Sequence, residues 1–121
     1  MVLALLDDLM FRSKIKSAAT QAGVTVSFAG SSEAALTAMR ATPPALVILD
    51  LNNLRTNPLD VVTAMKADPS LASIPTVGYV SHVDTATIDA ARAAGVDDVL
   101  ARSAFTMKLG EIIGGSTTRR P

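Results

Sequence analysis

The sequence predicts an α/β domain with a doubly wound parallel sheet of five strands, each followed by a helix. Short apolar runs alternate five times with stretches of helical periodicity, which is typical of βαβ units with right-handed crossovers. The first and third runs are apolar throughout, as expected for strands that helices cover on both faces. The 121 residues fit one compact domain, and 49% hydrophobic residues suffice for a core.

The strands are predicted from the short apolar runs themselves. In chain order they are Val2–Leu6, Val24–Phe28, Leu46–Leu49, Thr76–Val80 and Asp98–Leu100. In a flavodoxin-like arrangement their order in the sheet is 2-1-3-4-5, which makes the first and third strands neighbours. We expect residues 1–113 to form this domain. The polar segment 114–121, which starts with glycine, is expected to form a flexible, frayed tail.

The helices are predicted from apolar residues at helical spacing and from residues that favour helix ends. Apolar residues from Phe11 to Ala22 share one face, and Gly23 ends this helix because glycine tolerates a left-handed conformation. Asn57-Pro58 is typical of a helix start, with an N-cap residue followed by proline in the first turn. The other predicted helices run from Ser31–Ser32 to just before Pro43, from Asp84 or Thr85 to Gly95, and from Ala104 to Ile113.

The composition excludes several classes of site and partner. The chain has no cysteine, which excludes disulfides, thiolate catalysis and cysteine-based zinc sites. Its 11 basic and 11 acidic residues give no net charge, whereas nucleic-acid-binding surfaces normally show a basic excess. No apolar run approaches the roughly 18 residues of a membrane helix, and residues 1–8 do not resemble a signal peptide. We therefore expect a cytoplasmic protein with no nucleic-acid or membrane partner.

Three acidic residues follow two strands that the predicted order places side by side. Asp7 and Asp8 come after the first strand, and Asp50 directly follows the third. Ligands bind outside the carboxyl ends of the strands in such sheets, close to the switch in strand order. Unpaired carboxylates there raise one another's pKa values, and Mg²⁺, which prefers oxygen ligands, relieves their repulsion. One such aspartate is readily explained as a helix cap or loop residue, but three together favour a Mg²⁺ site.

Several segments carry motifs of one protein family. They comprise the acidic pair after the first strand, the apolar run that ends in an aspartate, and the approaches to strands four and five. In chain order they are Leu6-Asp7-Asp8, Pro44-Ala45 before Leu46–Asp50, Ala67-Asp68-Pro69 with Ile74-Pro75, and Gly95–Asp98. On these residues the sequence resembles, over residues 1–113, the receiver domain of bacterial two-component response regulators.

The resemblance implies a function in phosphoryl signalling. Asp50 would be the phosphoacceptor, and Asp7, Asp8 and Asp50 would hold Mg²⁺ together with the backbone carbonyl of Asn52. A histidine kinase or a phosphotransfer protein would donate the phosphoryl group, so the chain would be a signalling domain rather than an enzyme. Its output would be contact with a downstream protein through the face of helix four, strand five and helix five. A homodimer through the same face is also compatible with the resemblance.

The sequence departs from the family beside the expected phosphoryl group. Arg102 takes the place of the lysine after strand five, and arginine also binds phosphate. The family's hydroxyl residue at the end of strand four aligns with Val80, and we expect Ser81 to fill that role through a one-residue insertion or bulge. Val99 replaces the aromatic residue that moves on activation. Leu54–Pro58 replaces the family's Pro-Gly turn after the phosphoacceptor.

Two other functions stay open. A pseudo-receiver would keep the fold but act only as a protein-interaction module without productive phosphorylation, and the departures at the switch residues favour it. A small phosphohydrolase with Asp50 as nucleophile is disfavoured because the sequence shows no separate general acid or cap segment. Tyr79 is interpreted as a packing residue. The one histidine, His82, is interpreted as a surface residue because no metal-ligand cluster or nucleophile accompanies it.

Overall fold

The sheet in the computed structural model, which describes residues 1–81 and 84–115, has five parallel strands. They are β1 (Val2–Leu5), β2 (Val26–Ala29), β3 (Leu46–Asp50), β4 (Thr76–Val80) and β5 (Asp98–Ala101). Their order is β2-β1-β3-β4-β5 with every neighbouring pair parallel, and this confirms the predicted flavodoxin-like sheet. The strands β1 and β3 are neighbours, with Leu5 opposite Leu49 at their carboxyl ends.

Helices alternate with these strands. They are α1 (Leu9–Ala22), α2 (Ser32–Ala41), α3 (Pro58–Ala67), α4 (Thr85–Ala94), α5 (Arg102–Met107) and α6 (Leu109–Gly115), with a short 3-10 helix at Leu54–Thr56. Gly23 has a φ of 70°, and the N–H of Val24 donates to the Ala19 carbonyl at 2.8 Å, so α1 ends in the predicted left-handed cap. Because this bond commits Val24 to the helix end, β2 begins at Val26 and not at Val24.

The starts of the later helices follow from their capping residues. The side chain of Asp84 accepts from the N–H of Ala86 at 3.0 Å, so Asp84 and not Thr85 caps α4. Asn57 precedes Pro58 as predicted, but its side chain makes no capping bond, and its φ of 47° places it in the left-handed region that asparagine tolerates. In the described part of the chain, no helix is both long and apolar enough to span a bilayer.

The prediction of one helix from Ala104 to Ile113 is wrong. The helical region begins earlier, at Arg102 directly after β5, and Lys108 interrupts it between α5 and α6. The Thr106 hydroxyl donates to the Arg102 carbonyl at 2.8 Å, a bond to the preceding turn that is known to bend helices. The last helix continues through Gly114–Gly115, the first two residues of the predicted tail. Residues 116–121, and with them the rest of that tail, lie outside the described residues, as does His82.

Two hydrophobic clusters, one on each face of the sheet, form the core. Residues of α1, α5 and α6 cover one face, and residues of α2, α3 and α4 cover the other. Successive side chains of a strand point to opposite faces of the sheet. Val77 and Tyr79 therefore pack on the face covered by α1, α5 and α6, and Val80 packs on the face covered by α2, α3 and α4. Since β1 and β4 are buried throughout and β3 is buried up to Asp50, the packed sheet fixes the backbone of the residues at its carboxyl edge.

Gly78 allows β4 to approach the segment after Asp50. A Cβ at this position would lie 2.6 Å from Cδ1 of Leu51, whose side chain is itself buried. We expect Gly78→Ala to lower the free energy of unfolding by about 1–3 kcal/mol, because the buried leucine has to move. Urea denaturation measures this difference.

The matched control is Gly110→Ala, since Gly110 is exposed in α6 and a Cβ at this position would meet no neighbouring atom within 4 Å. It should leave stability unchanged or raise it by up to about 1 kcal/mol, because alanine favours helices over glycine. Equal stabilities of Gly78→Ala and the unsubstituted protein would contradict the close packing of Leu51 on β4.

Candidate functional site

Three carboxylates lie at the carboxyl edge of the sheet, and we call them the acid site. Asp50 is the last residue of β3, and Asp7 and Asp8 lie in the short segment that joins β1 to α1. Because β1 and β3 are adjacent and in register, both segments reach the same edge. The charges of Asp7 and Asp8 both act on the pKa of Asp50, as does the charge of Arg102. The sheet therefore brings the predicted acidic residues and Arg102 within electrostatic range of one another.

Both carboxylate oxygens of Asp7 have partners in the segment after β3. The side-chain amide of Asn53 donates to Oδ1 at 2.7 Å, and the Arg55 guanidinium donates to Oδ2 at 2.6 Å. Asn53 also accepts from the backbone N–H of Arg55 at 3.0 Å, which fixes the start of the 3-10 helix. Sequence reasoning missed Asn53 and Arg55. The only signal was their position beside or within the turn that differs from the receiver family.

Asp8 combines a structural role with an ion pair. Its Oδ1 accepts from the N–H of Phe11 at 3.1 Å and caps α1, and its Oδ2 lies 3.3 Å from the Arg102 guanidinium. The guanidinium also lies over the Phe11 ring, 4.5 Å from its centroid. The bond from Phe11 lowers the pKa of Asp8 below its ordinary value; the charge of Arg102 adds to this effect, and partial burial opposes it. Asp8 is therefore held as a carboxylate at neutral pH.

Asp50 has the opposite electrostatic environment. Burial raises its pKa above the ordinary value, and the charges of Asp7 and Asp8 act in the same direction. The N–H of Asn52, which donates to Oδ1 at 3.1 Å, and the charge of Arg102 oppose this increase. Within residues 1–81 and 84–115, no group donates to Oδ2 of Asp50. This oxygen is the atom of the acid site that is left available to a ligand.

The donor chemistry of the acid site fits a hard divalent cation, although its present arrangement is one of ion pairs. Each carboxylate has one oxygen anchored by an N–H donor, from Asn53, Phe11 and Asn52 respectively. The second oxygen of Asp7 and of Asp8 faces an arginine, and that of Asp50 has no donor among the residues that the structure describes. Oxygen ligands of this kind are those that Mg²⁺ prefers. As the described side chains stand, however, no three acidic or histidine residues group closely enough to hold a metal ion.

Ser81 directly follows β4 and is exposed. Its backbone N–H donates to the side-chain oxygen of Asn52, which ties the end of β4 to the segment after Asp50. The pairing of β4 with β5 is continuous through Val80, so the strand contains no bulge, and Val80 is buried in the core. Ser81 therefore lies beyond the end of the strand, and no bulge brings it to the position of Val80.

Tyr79 lies opposite Asp50 in the sheet and forms an aromatic cluster beneath the acid site. Its ring stacks on Phe105 with centroids 4.9 Å apart, and it contacts Phe11 at the same distance in a tilted arrangement. Burial, followed by the charge of Asp50, raises the pKa of Tyr79 far above its ordinary value, so the phenol stays protonated. The contacts are those of a packing residue. Val99, at the expected switch position, is partly buried against the opposite face.

Comparison with known proteins identifies the fold. A response regulator from Hahella chejuensis superposes with a TM-score of 0.86 at 20% identity, over 97% of this chain and 94% of that one. The chain has the receiver fold of response regulators. The phosphorylated cyanobacterial phytochrome response regulator RcpA matches with a TM-score of 0.79 at 23% identity, and the Mn²⁺-bound response regulator Rcp1 with 0.76 at 19%, each over 94% of this chain and 88% of that one. No protein-family profile and no curated protein sequence matches the chain.

The opposite pKa shifts of Asp50 and Asp8 predict opposite effects of neutralising them. Because the folded state raises the pKa of Asp50, its ionised form costs stability above its ordinary pKa. In metal-free buffer, Asp50→Asn should therefore raise the melting temperature at pH 7, and the gain should shrink as the pH falls toward about 4.

The contrasting variant is Asp8→Asn, which keeps a capping side chain but loses the charge. Because the folded state lowers the pKa of Asp8, its ionised form contributes stability above the ordinary pKa, and that contribution is lost as the pH falls through the folded value. Asp8→Asn should thus lower the melting temperature at pH 7 and converge with the unsubstituted protein in acid. Melting curves that shift in the same direction for both variants would contradict this assignment of charges.

Proposed function

We propose that the chain is a receiver that accepts a phosphoryl group on Asp50 in a Mg²⁺-dependent phosphorelay and signals through protein contacts. One observation carries the proposal most directly. Asp50 ends a central strand, its Oδ1 is anchored by the N–H of Asn52, and its Oδ2 has no donor among the described residues. Such a carboxylate is oriented for attack through Oδ2. The receiver fold supports the same function, and RcpA, which shares that fold, is a phosphorylated protein.

The reaction is an in-line transfer between a donor and the carboxylate. Oδ2 of Asp50 forms a bond to phosphorus while the bond from phosphorus to the donor breaks, and the donor atom, a histidine nitrogen in a kinase or phosphotransfer protein, keeps the bonding electrons. The backbone N–H of Asn52 holds Oδ1 and thereby aims Oδ2. Burial of Asp50 weakens the solvation of its carboxylate, which leaves less water to displace on reaction.

The acid site would hold the cation. Asp7 and Asp8 would contribute the oxygens that now face arginines, with Asp50 and the backbone carbonyl of Asn52 as further ligands. A bound Mg²⁺ would neutralise charge on the transferred phosphoryl group. The chemistry of the donors supports this assignment, and so does Rcp1, a protein of the same fold that binds Mn²⁺.

Arg102 and Ser81 would contact the phosphoryl oxygens. Arg102 begins α5 beside the acid site and already places its guanidinium 3.3 Å from Asp8, so a modest rotation would redirect it to phosphate. The Ser81 hydroxyl would reach the same group from the end of β4. Neither residue would act as an acid or base, since the reaction at Asp50 needs no proton transfer from them. We expect the chain to be a signalling domain and not a turnover enzyme.

The partners would be a histidine kinase or phosphotransfer protein on one side and a downstream protein on the other. The face formed by α4, β5 and α5 is the proposed output surface. It lies at an edge of the sheet, where β5 pairs, among the described residues, only with β4, and both ends of the strand are exposed. An edge strand of this kind offers unpaired backbone groups to a partner, including a second copy of the chain. A cytoplasmic location stays a prediction.

A pseudo-receiver is the second candidate, and a specific observation favours it. Arg55 and Arg102 bind the oxygens of Asp7 and Asp8 that a cation would need. In addition, the buried Val80 replaces the family's hydroxyl residue. A pseudo-receiver would keep the sheet and the contact surfaces while Asp50 stayed unmodified. The two functions therefore differ in whether Asp50 reacts.

Incubation with Mg²⁺ and acetyl phosphate, followed by intact-mass measurement, tests the proposed function. The unsubstituted protein should gain the mass of one phosphoryl group, and Asp50→Asn should lose the gain entirely because the amide is not a nucleophile. The matched control is Asp98→Asn, which removes an exposed carboxylate of β5 and should keep the full gain. No gain in the unsubstituted protein would favour the pseudo-receiver, and a gain that persists in Asp50→Asn would exclude Asp50 as the acceptor.

A further inference from the structure

Arg55 contacts the acid site in a way that the receiver chemistry does not require. Its guanidinium donates to Oδ2 of Asp7 at 2.6 Å, a shorter contact than the 3.3 Å between Arg102 and Asp8. This oxygen is the one that Asp7 would offer to a cation, because Asn53 holds Oδ1. Arg55 and the cation therefore need the same atom.

The surroundings of Arg55 allow it to leave. Its side chain is 82% exposed, and in the described part of the chain its guanidinium has no partner other than Asp7. It belongs to a 3-10 helix of three residues, whose start is fixed by Asn53 through a backbone bond and not through the guanidinium. Release of the side chain therefore breaks one exposed ion pair and leaves the bond from Asn53 to Asp7 intact.

Arg102 differs from Arg55 in this respect. Its guanidinium lies over the Phe11 ring. The Arg102 side chain is 42% exposed, about half the exposure of the Arg55 side chain. Stacking on the ring keeps Arg102 beside the acid site even when its bond to Asp8 breaks. Arg55 has no such second contact among the described residues, so it is the arginine that a cation can displace to solvent.

We propose that Arg55 is a built-in competitor for the cation, which binds the acid site only by displacing the Arg55 guanidinium from Oδ2 of Asp7. Arg55 thereby sets the cation concentration at which the acid site fills. This inference rests on the proposed function, since it takes the acid site to bind a divalent cation. When the cation enters, Asn53 keeps Asp7 in place, so Oδ2 passes from the guanidinium to the metal without rearrangement of β1 or β3.

Mg²⁺ binding measured by isothermal titration calorimetry tests the competition without any phosphoryl donor. Arg55→Ala should bind Mg²⁺ about threefold to tenfold more tightly than the unsubstituted protein, because the exposed ion pair no longer has to be broken and a repelling charge is gone. The control is Arg40→Ala. Arg40 lies in the last turn of α2 and forms an ion pair with Asp68, so the variant removes the same charge away from the acid site. It should leave the affinity unchanged.

The outcomes separate the inference from the proposed function. Equal Mg²⁺ affinities in Arg55→Ala and the unsubstituted protein would overturn the competition while leaving the metal site in place. An equal gain in Arg55→Ala and Arg40→Ala would also overturn it, since the effect would then be one of net charge. If neither the unsubstituted protein nor any variant shows heat of Mg²⁺ binding, the metal site itself is overturned, and the inference with it. Circular dichroism of each variant verifies that it is folded.

Discussion

The convergence of three carboxylates at one edge of a buried sheet is the constraint on which the site depends. Because β1 and β3 are adjacent and their apolar side chains are buried, Asp7, Asp8 and Asp50 cannot move apart without disturbing the core. Their mutual repulsion has to be offset by positive charge or by protonation. Arg55 forms an ion pair with Asp7, and Arg102 forms one with Asp8. Asp50 has no such ion pair among the described residues, and its pKa is raised. Burial is the largest cause of the raised pKa of Asp50, and the charges of Asp7 and Asp8 add to it.

The aromatic cluster connects this charge arrangement to the core. Phe11 lies in the first turn of α1, where its N–H bonds to Asp8, and its ring supports the Arg102 guanidinium. The same ring contacts Tyr79 and Phe105, which belong to β4 and α5. The position of Arg102 is therefore tied to the packing of one face of the sheet. A movement of Arg102 toward a phosphoryl group would remove its guanidinium from the Phe11 ring. Because Arg102 begins α5, this change would occur next to the proposed output surface.

Much of the fold was predictable because burial determines it locally. Continuous apolar runs predicted β1 and β3, and glycine at a helix end predicted the limit of α1. The rule that ligands bind at strand ends predicted the acid site. The interruption at Lys108 was not predictable, because no glycine or proline marks it and it coincides with the hydroxyl bond of Thr106 in the preceding turn. The roles of Arg55 and Asn53 were not predictable, because their bonds to Asp7 join residues more than forty positions apart in the sequence and depend on the loop conformation. The position of Ser81 depends in the same way on strand register, which counting along the sequence does not determine.

A crystal structure with Mg²⁺ and beryllium trifluoride, a stable mimic of the phosphoryl group, tests most directly whether a cation takes over the acid site from the arginines. We expect the cation on Asp8, Asp50 and the Asn52 carbonyl, with Oδ2 of Asp7 turned toward it and the Arg55 guanidinium in solvent. We also expect the mimic on Oδ2 of Asp50, within hydrogen-bond reach of Arg102. An acid site in which Arg55 still binds Asp7 and neither cation nor mimic is present would contradict the phosphoacceptor function and would leave an interaction module with the receiver fold.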